Sequence, residues 1–139
     1  MSSRTKSRKR AVDALFAADV RDSAALDMLD DALKQNQDRQ NQDEIFGYAR
    51  QIVAGVSEHI DEIDAYLMAY SQGWALDRMP ALDRTIMRVA VWEIVFNDEV
   101  PDAVAVDEAV ELAKEYSTDD SPGFINGLLN KVCSTKRAL

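Results

Sequence analysis

Very little in this sequence can carry reaction chemistry. It holds one cysteine, Cys133, and one histidine, His59. A lone cysteine cannot close a disulfide within the chain, which suits a reducing compartment. Cys133 has no His or Cys at ligand spacing, so a zinc site is excluded, and no Glu-x-x-His spacing exists for a di-metal bundle site. His59 lies at the margin of an apolar stripe among Glu58, Asp61, Glu62 and Asp64, as on a solvated face. The five glycines are isolated, so no phosphate-cradling loop is present. Acidic pairs such as Asp30-Asp31 and Asp119-Asp120 read as surface solvation. Without a positioned acid, base, nucleophile or metal, the chain is expected to be no enzyme and to need no cofactor.

Long apolar runs are also missing. None approaches the roughly 20 residues that cross a bilayer, and Asp13 and Asp19 interrupt any signal-type segment after the start. The expectation is a cytoplasmic protein with no membrane association. At 139 residues, 47% hydrophobic and 29% charged, it has the size and composition of one soluble domain, 1–139.

What is present is a charge asymmetry. The first ten residues carry Arg4, Lys6, Arg8, Lys9 and Arg10 and no acid. Removing those five charges from the formal net charge of −9 leaves −14 for residues 11–139. An acidic body repels a polyanion, so a basic arm over residues 1–10 is the part able to reach a phosphate backbone. The competing reading is a flexible, solubilising start.

With three prolines and helically spaced apolar residues, the chain is expected to be all-α, a bundle of about six or seven helices. Ile45, Ala49, Ile52, Val53, Val56, Ile60, Ile63 and Leu67 form one continuous face over residues 43–70, with Asp43 as N-cap. Gly47 and Gly55 on that helix are expected to permit close helix approach. A first helix runs out of the arm through Val12, Leu15 and Phe16, and Ser23 caps a short second one. Residues 35–43 contain no apolar side chain and form a polar connecting loop within the fold. Pro80 opens a nearly all-apolar central helix, Asp102 caps the next, and Ser121 with Pro122 starts the last.

Three stretches, in order, resemble the NusB family of bacterial transcription antitermination factors. The first is Arg8-Lys9-Arg10-Ala11-Val12-Asp13-Ala14-Leu15-Phe16. The second begins with Tyr48-Ala49 and Ile52-Val53-Ala54-Gly55-Val56. It continues with Trp74, Leu76, Arg78-Met79 and Leu82-Asp83-Arg84, then Ile86-Met87-Arg88-Val89-Ala90-Val91-Trp92-Glu93. The third runs from Val100-Pro101 through Ala105–Lys114 to Phe124-Ile125-Asn126-Gly127-Leu128-Leu129. Nearly the whole chain is covered, most weakly at 35–43. A related domain opens certain ribosomal RNA cytosine methyltransferases, but no length remains here for a methyl-donor-binding sheet.

The resemblance implies two helical subdomains sharing one core, and no enzymatic activity. It implies binding to boxA-type single-stranded leader RNA of ribosomal RNA operons together with the small-subunit ribosomal protein NusE. Other antitermination factors and RNA polymerase would be engaged indirectly, and some members form homodimers. For RNA contact it points to the arm, Arg4, Lys6, Arg8, Lys9 and Arg10, and to Asp120 and Phe124; Lys114 extends the basic track by its charge alone. Lys131, Lys136 and Arg137 extend the same track by charge, with ordinary solvation the plainer reading of Lys136 and Arg137, and Gly123 stands where the family often has a basic residue. Five arm cations on single-strand phosphates would give a log–log salt slope of roughly −3.5. For the ribosomal-protein partner it points to Phe16, Asp77 and Asp83. Each has a plainer reading: Phe124 and Phe16 as core, Asp120 as a capping residue, Asp77 and Asp83 as first-turn carboxylates favoured by the helix dipole. The rival function is a protein–protein adaptor with a disordered basic tail.

Overall fold

Cations at a helix N-terminus oppose the helix dipole, yet the basic arm is helical from its third residue. The computed structural model describes the backbone of residues 2–138 and the side chains of 2–136. In it, α1 spans Ser3–Arg21. Ser2 caps it, its Oγ accepting from Thr5 N–H at 3.1 Å. Carboxylates from later helices neutralise the misplaced charge, Glu93 accepting from Arg8 and Glu115 from Lys9, while Glu108 accepts from the Thr5 hydroxyl at 2.9 Å. A disordered basic tail is therefore excluded. Asp22, at φ 53°, ends the helix in the left-handed region.

Six more α-helices follow among the described residues: α2 (Ala25–Gln35), α3 (Gln42–Glu58), α4 (Ile60–Tyr70), α5 (Ala81–Phe96), α6 (Asp102–Tyr116) and α7 (Ser121–Ala138). A 3-10 turn, Leu76–Arg78, precedes α5. No described helix is long and apolar enough to span a membrane. The all-α expectation holds, with seven α-helices. α1, α2 and α3 pack on one another, while α4, α6 and α7 surround α5, which also meets α1 and α3. Ile86, Met87, Val91 and Ile94 of α5 are at most 1% exposed, so this helix is the axis of one continuous core.

The expected continuous helix over 43–70 is broken at His59 (φ −110°, ψ 23°). The chain turns there because α3 packs on α1 and α2 while α4 packs on α5 and α7. The His59 ring lies stacked on Phe96, centroids 3.9 Å apart and planes 13° apart. Ile63 and Leu67 beyond the break are nonetheless fully buried, like Ile52 and Val56 before it.

Gly55 does permit close approach: a Cβ there would come within 1.9 Å of Trp92 Nε1. Gly47 does not, since a Cβ would meet nothing within 4 Å. Several expected caps differ. Asn41, at φ 62°, precedes α3, and Asp43 sits in its first turn. Ala24 precedes α2, while the Ser23 hydroxyl donates to Arg21 O. Pro80 and Pro101 stand just before α5 and α6. The Ser121 hydroxyl donates to Asp83 Oδ2 at 2.7 Å.

Candidate nucleic-acid interface

The five arm cations do not share a surface. At 3.6 residues per turn, Lys6, Lys9, Arg10 and Asp13 fall within an arc of about 100° on α1, with Arg4 and Arg8 opposite. Those four residues form one wall of an open groove of about 680 Å3. The other wall is the polar connection and the start of α3, with Asp38, Arg39, Gln40, Gln42 and Ile45, and Tyr116 at the end of α6 also lines it.

Arg8 leaves the expected set of phosphate contacts. It is 3% exposed, its Nε donating to Glu93 Oε1 at 2.8 Å and Oε2 at 3.1 Å, with Glu108 3.7 Å from Nη1. Burial opposes the guanidinium charge, but the hydrogen bond and charge of Glu93 more than offset it, and its pKa is raised. Tyr48 completes the cluster, donating to Glu93 Oε2 at 2.5 Å and accepting from Asn97 at 3.1 Å. Burial and that hydrogen bond push the Tyr48 phenol well up. Glu93 thus faces a cation and a phenol inside the core, a role no periodicity signals.

Arg4 lies on the other face of α1, its guanidinium carbon 3.7 Å from the centroid of the Tyr48 ring. Lys9 is in the groove wall but paired, 2.8 Å from Glu115 Oε2 and 5.6 Å from the Tyr116 ring. The Glu115 hydrogen bond raises its pKa. Among the described residues, Lys6, Arg10 and Arg39 form no ion pair. Arg10 lies 5.3 Å from the Phe46 ring. Arg39, from the loop read as a plain connector, therefore joins Lys6 and Arg10 as an uncommitted cation. Asp13 is an acid in the same groove; partial desolvation raises its pKa, and Arg10 and Lys9 oppose that rise.

The remaining expected RNA contacts are not among the residues that line the groove. Lys114 is exposed, pairs with Glu111 at 3.2 Å and lines the cleft between α1 and α6. Asp120 is exposed, and its main-chain oxygen accepts from Phe124 N–H at 3.4 Å. Phe124 is half-buried, in edge contact with Trp74 at 5.2 Å, and does not line the groove. Tyr116, 39% exposed, is the ring beside the basic residues. Lys131 is exposed. Lys136, expected to be merely solvated, ties α7 to α5 and α6 through Ile94 O at 2.5 Å and Asp102 at 2.7 Å. The Arg137 side chain lies outside the described residues.

The partner residues separate as well. Phe16 is half-buried on α1. Asp77 is exposed and lines a second open cavity, of about 690 Å3, with Asp19, Met68, Trp74 and Arg84. Asp83 is not available to a partner: it is 3% exposed and accepts from the Ser117 and Ser121 hydroxyls, tying the start of α7 to α5.

Comparison with known proteins agrees with this architecture. The transcription antitermination protein NusB of Leifsonia xyli subsp. xyli (strain CTCB07) is 51% identical over 136 residues, 98% of this chain and 94% of that protein. The structure of T. maritima NusB superposes with a TM-score of 0.85 at 30% identity, covering 100% of this chain and 99% of that one. The NusB chain of a complex of antitermination factors NusB and NusE with double-stranded RNA shares the fold, with a TM-score of 0.85 at 22% identity over 97% and 98% of the two chains. The NusB family model matches residues 5–134, from the first turn of α1 to the last turns of α7, and the chain belongs to the NusB family.

Proposed function

We infer that this chain is a non-enzymatic transcription antitermination factor that binds single-stranded boxA-type leader RNA of ribosomal RNA operons in the cytoplasm. The observation that carries it is the pair Lys6 and Arg10, held on α1 with no close ion pair among the described residues, in a groove of an otherwise acidic chain. Such a groove concentrates a polyanion where the rest of the surface repels it. Lys9 joins by exchanging Glu115 for phosphate. A strand leaving over Tyr116 meets the 117–120 turn, where Asp120 and the Phe124 ring stand as base contacts. Lys114 flanks this path, whereas Arg4, stacked on Tyr48 on the opposite face of α1, lies away from it.

The protein partner is the basic small-subunit ribosomal protein NusE, in keeping with the NusB–NusE–RNA complex of the related fold. It docks over Phe16 and Asp77, beside exposed Met68 and Trp74, where Asp77 is the carboxylate left for a basic protein because Asp19 pairs with Arg84 at 2.9 Å. RNA polymerase and other antitermination factors are engaged through that assembly. Homodimerisation would use the same surface and so compete with it.

Fluorescence-anisotropy titration of boxA-like RNA, with and without the ribosomal protein, tests this. Tighter binding than to scrambled RNA is expected, lost in a Lys6→Ala/Arg10→Ala double variant. Equal affinity for scrambled RNA under both conditions refutes it. Deleting residues 1–10 is no substitute, because it also removes Arg8 from the core.

A further inference from the structure

We propose that the polar connection between α2 and α3 is the second wall of a ribonucleotide cleft. In it Tyr116 is the stacking platform, Arg39 a phosphate contact and Gln42 the reader of a base edge. The inference rests on the RNA-binding reading above and extends it to three residues outside the basic arm.

Four observations converge. Arg39 and Gln42 face Lys6 and Arg10 across the same groove, so a strand lying there touches both walls. Arg39 has no ion-pair partner among the described residues, which leaves its guanidinium fork free for phosphate. Tyr116, which lines the groove, keeps 39% of its surface in water, with Lys9 beside its ring. An exposed ring next to cations is the arrangement on which single-stranded bases stack, whatever their sequence.

The fourth observation concerns Gln42. Its Nε2 donates to Gln40 O at 3.0 Å, which fixes the amide orientation, since a carbonyl oxygen cannot face another carbonyl. Its Oε1 is then a buried acceptor with no hydrogen-bond partner, on a side chain that lines the groove. A buried acceptor loses its hydration without return until a donor arrives. The complementary donor is an N–H on a base edge, the amino group of adenine, cytosine or guanine or the imino N–H of guanine or uracil. Phosphate contacts alone position a strand without reading it; Gln42 supplies a reading group.

The test uses the full-length protein and fluorescein-labelled boxA-like RNA titrated over a range of salt. Arg39→Ala is expected to weaken binding and make the log–log salt slope shallower by about 0.7, one phosphate contact on a single strand. Tyr116→Ala is expected to weaken binding about 5- to 150-fold, while Tyr116→Phe retains it, since the ring and not the hydroxyl is the platform. Gln42→Ala is expected to narrow the preference for boxA-like over scrambled RNA. Arg21→Ala, at the far end of α1, serves as the charge control and leaves the slope unchanged. Loss of binding in the Lys6→Ala/Arg10→Ala protein, with Arg39→Ala and Tyr116→Ala binding like the parent, overturns the second wall and leaves the RNA function standing. A parent that does not prefer RNA to a poly-glutamate competitor removes both. Thermal melts showing intact variants exclude misfolding as the cause of any loss.

Discussion

Arg8 and Glu93 face each other inside the protein, Nε to Oε1 at 2.8 Å, with neither side chain more than 4% exposed. A cation from the middle of a basic leader in the sequence is thereby a core residue that joins α1 to α5. Removing one partner strands the other charge without water, which costs about 3–5 kcal/mol. Arg8→Met and Glu93→Ala are each expected to lower the stability read from urea unfolding by that order. A Lys6→Ala variant, in contrast, changes it by less than about 0.5 kcal/mol, as surface substitutions do. If Arg8→Met melted like the parent but lost RNA affinity, Arg8 would belong to the groove after all.

Gly55 and Trp92 carry a second packing constraint. Any side chain at 55 overlaps the indole, a large ring anchored between α3 and α5. Gly55→Ala is expected to destabilise by about 1–3 kcal/mol through overpacking, despite the better helix propensity of alanine. Gly47→Ala, where nothing lies within 4 Å, is expected to be neutral or stabilising. Paired thermal melts of the two variants check the contrast, which reverses if α3 and α5 can separate without cost.

How far the sequence could be read follows from what each signal measures. Apolar period reports burial, so the faces of α3, α4 and α5 are legible from Ile45 to Ile94. It does not report a one-residue break, because Ile63 and Leu67 beyond His59 are buried all the same. Charge composition reports that residues 4–10 are basic, and helical geometry then decides which cations meet solvent. Arg8 turns inward only because Glu93, 85 residues later, sits on the facing helix. Asp83 is likewise claimed by Ser117 and Ser121, and Arg39 becomes interesting only when the loop folds against α1. Each of these depends on a long-range contact that local pattern does not encode.

Asp77 and Asp83 should now behave differently in partner binding. Asp77→Ala removes an exposed carboxylate beside Asp19 and Trp74, so weaker docking of the ribosomal protein with an unchanged melting temperature is expected. Asp83→Ala leaves two hydroxyls without their acceptor and frees the start of α7, with an expected loss of about 1–3 kcal/mol. Calorimetric titration alongside melting of both variants separates the cases. Full stability in Asp83→Ala with lost docking would return Asp83 to the interface.

Lys9 is held from RNA by Glu115, which is half exposed and gives it up easily. Glu115→Gln is expected to tighten RNA binding and steepen the salt slope by up to about 0.7, with a stability change below about 1 kcal/mol. The raised Lys9 pKa fixes the pH window. Folding favours the protonated amine, so the pair's contribution is complete below the ordinary lysine value of 10.5 and is lost only as pH rises through the higher folded value. The difference between Glu115→Gln and the parent should therefore be the same at pH 7 and pH 9. A difference that fades by pH 9 would mean that Glu115 acts on some other group.

Gly123 offers the reverse experiment, in which a contact is added. It is exposed in the first turn of α7, between Asp120 and Phe124, and a Cβ there meets nothing within 4 Å. Lysine fits without displacing a neighbour, and replacing glycine inside a helix reduces the entropy lost on folding, a gain of about 0.4–1 kcal/mol. A cation at this helix start is slightly disfavoured by the dipole, by about 0.3–1 kcal/mol, so the net stability change is expected to be small. The effect on RNA is expected to be larger. If the strand passes from the groove over Tyr116 to Phe124, Gly123→Lys adds a phosphate contact on its path and steepens the salt slope by about 0.7. If the strand leaves the groove by its other end, the slope stays at the parent's value. Titrating Gly123→Lys and a Phe124→Ala/Gly123→Lys double variant over a range of salt distinguishes the two routes, because a strand that never reaches α7 is indifferent to both changes.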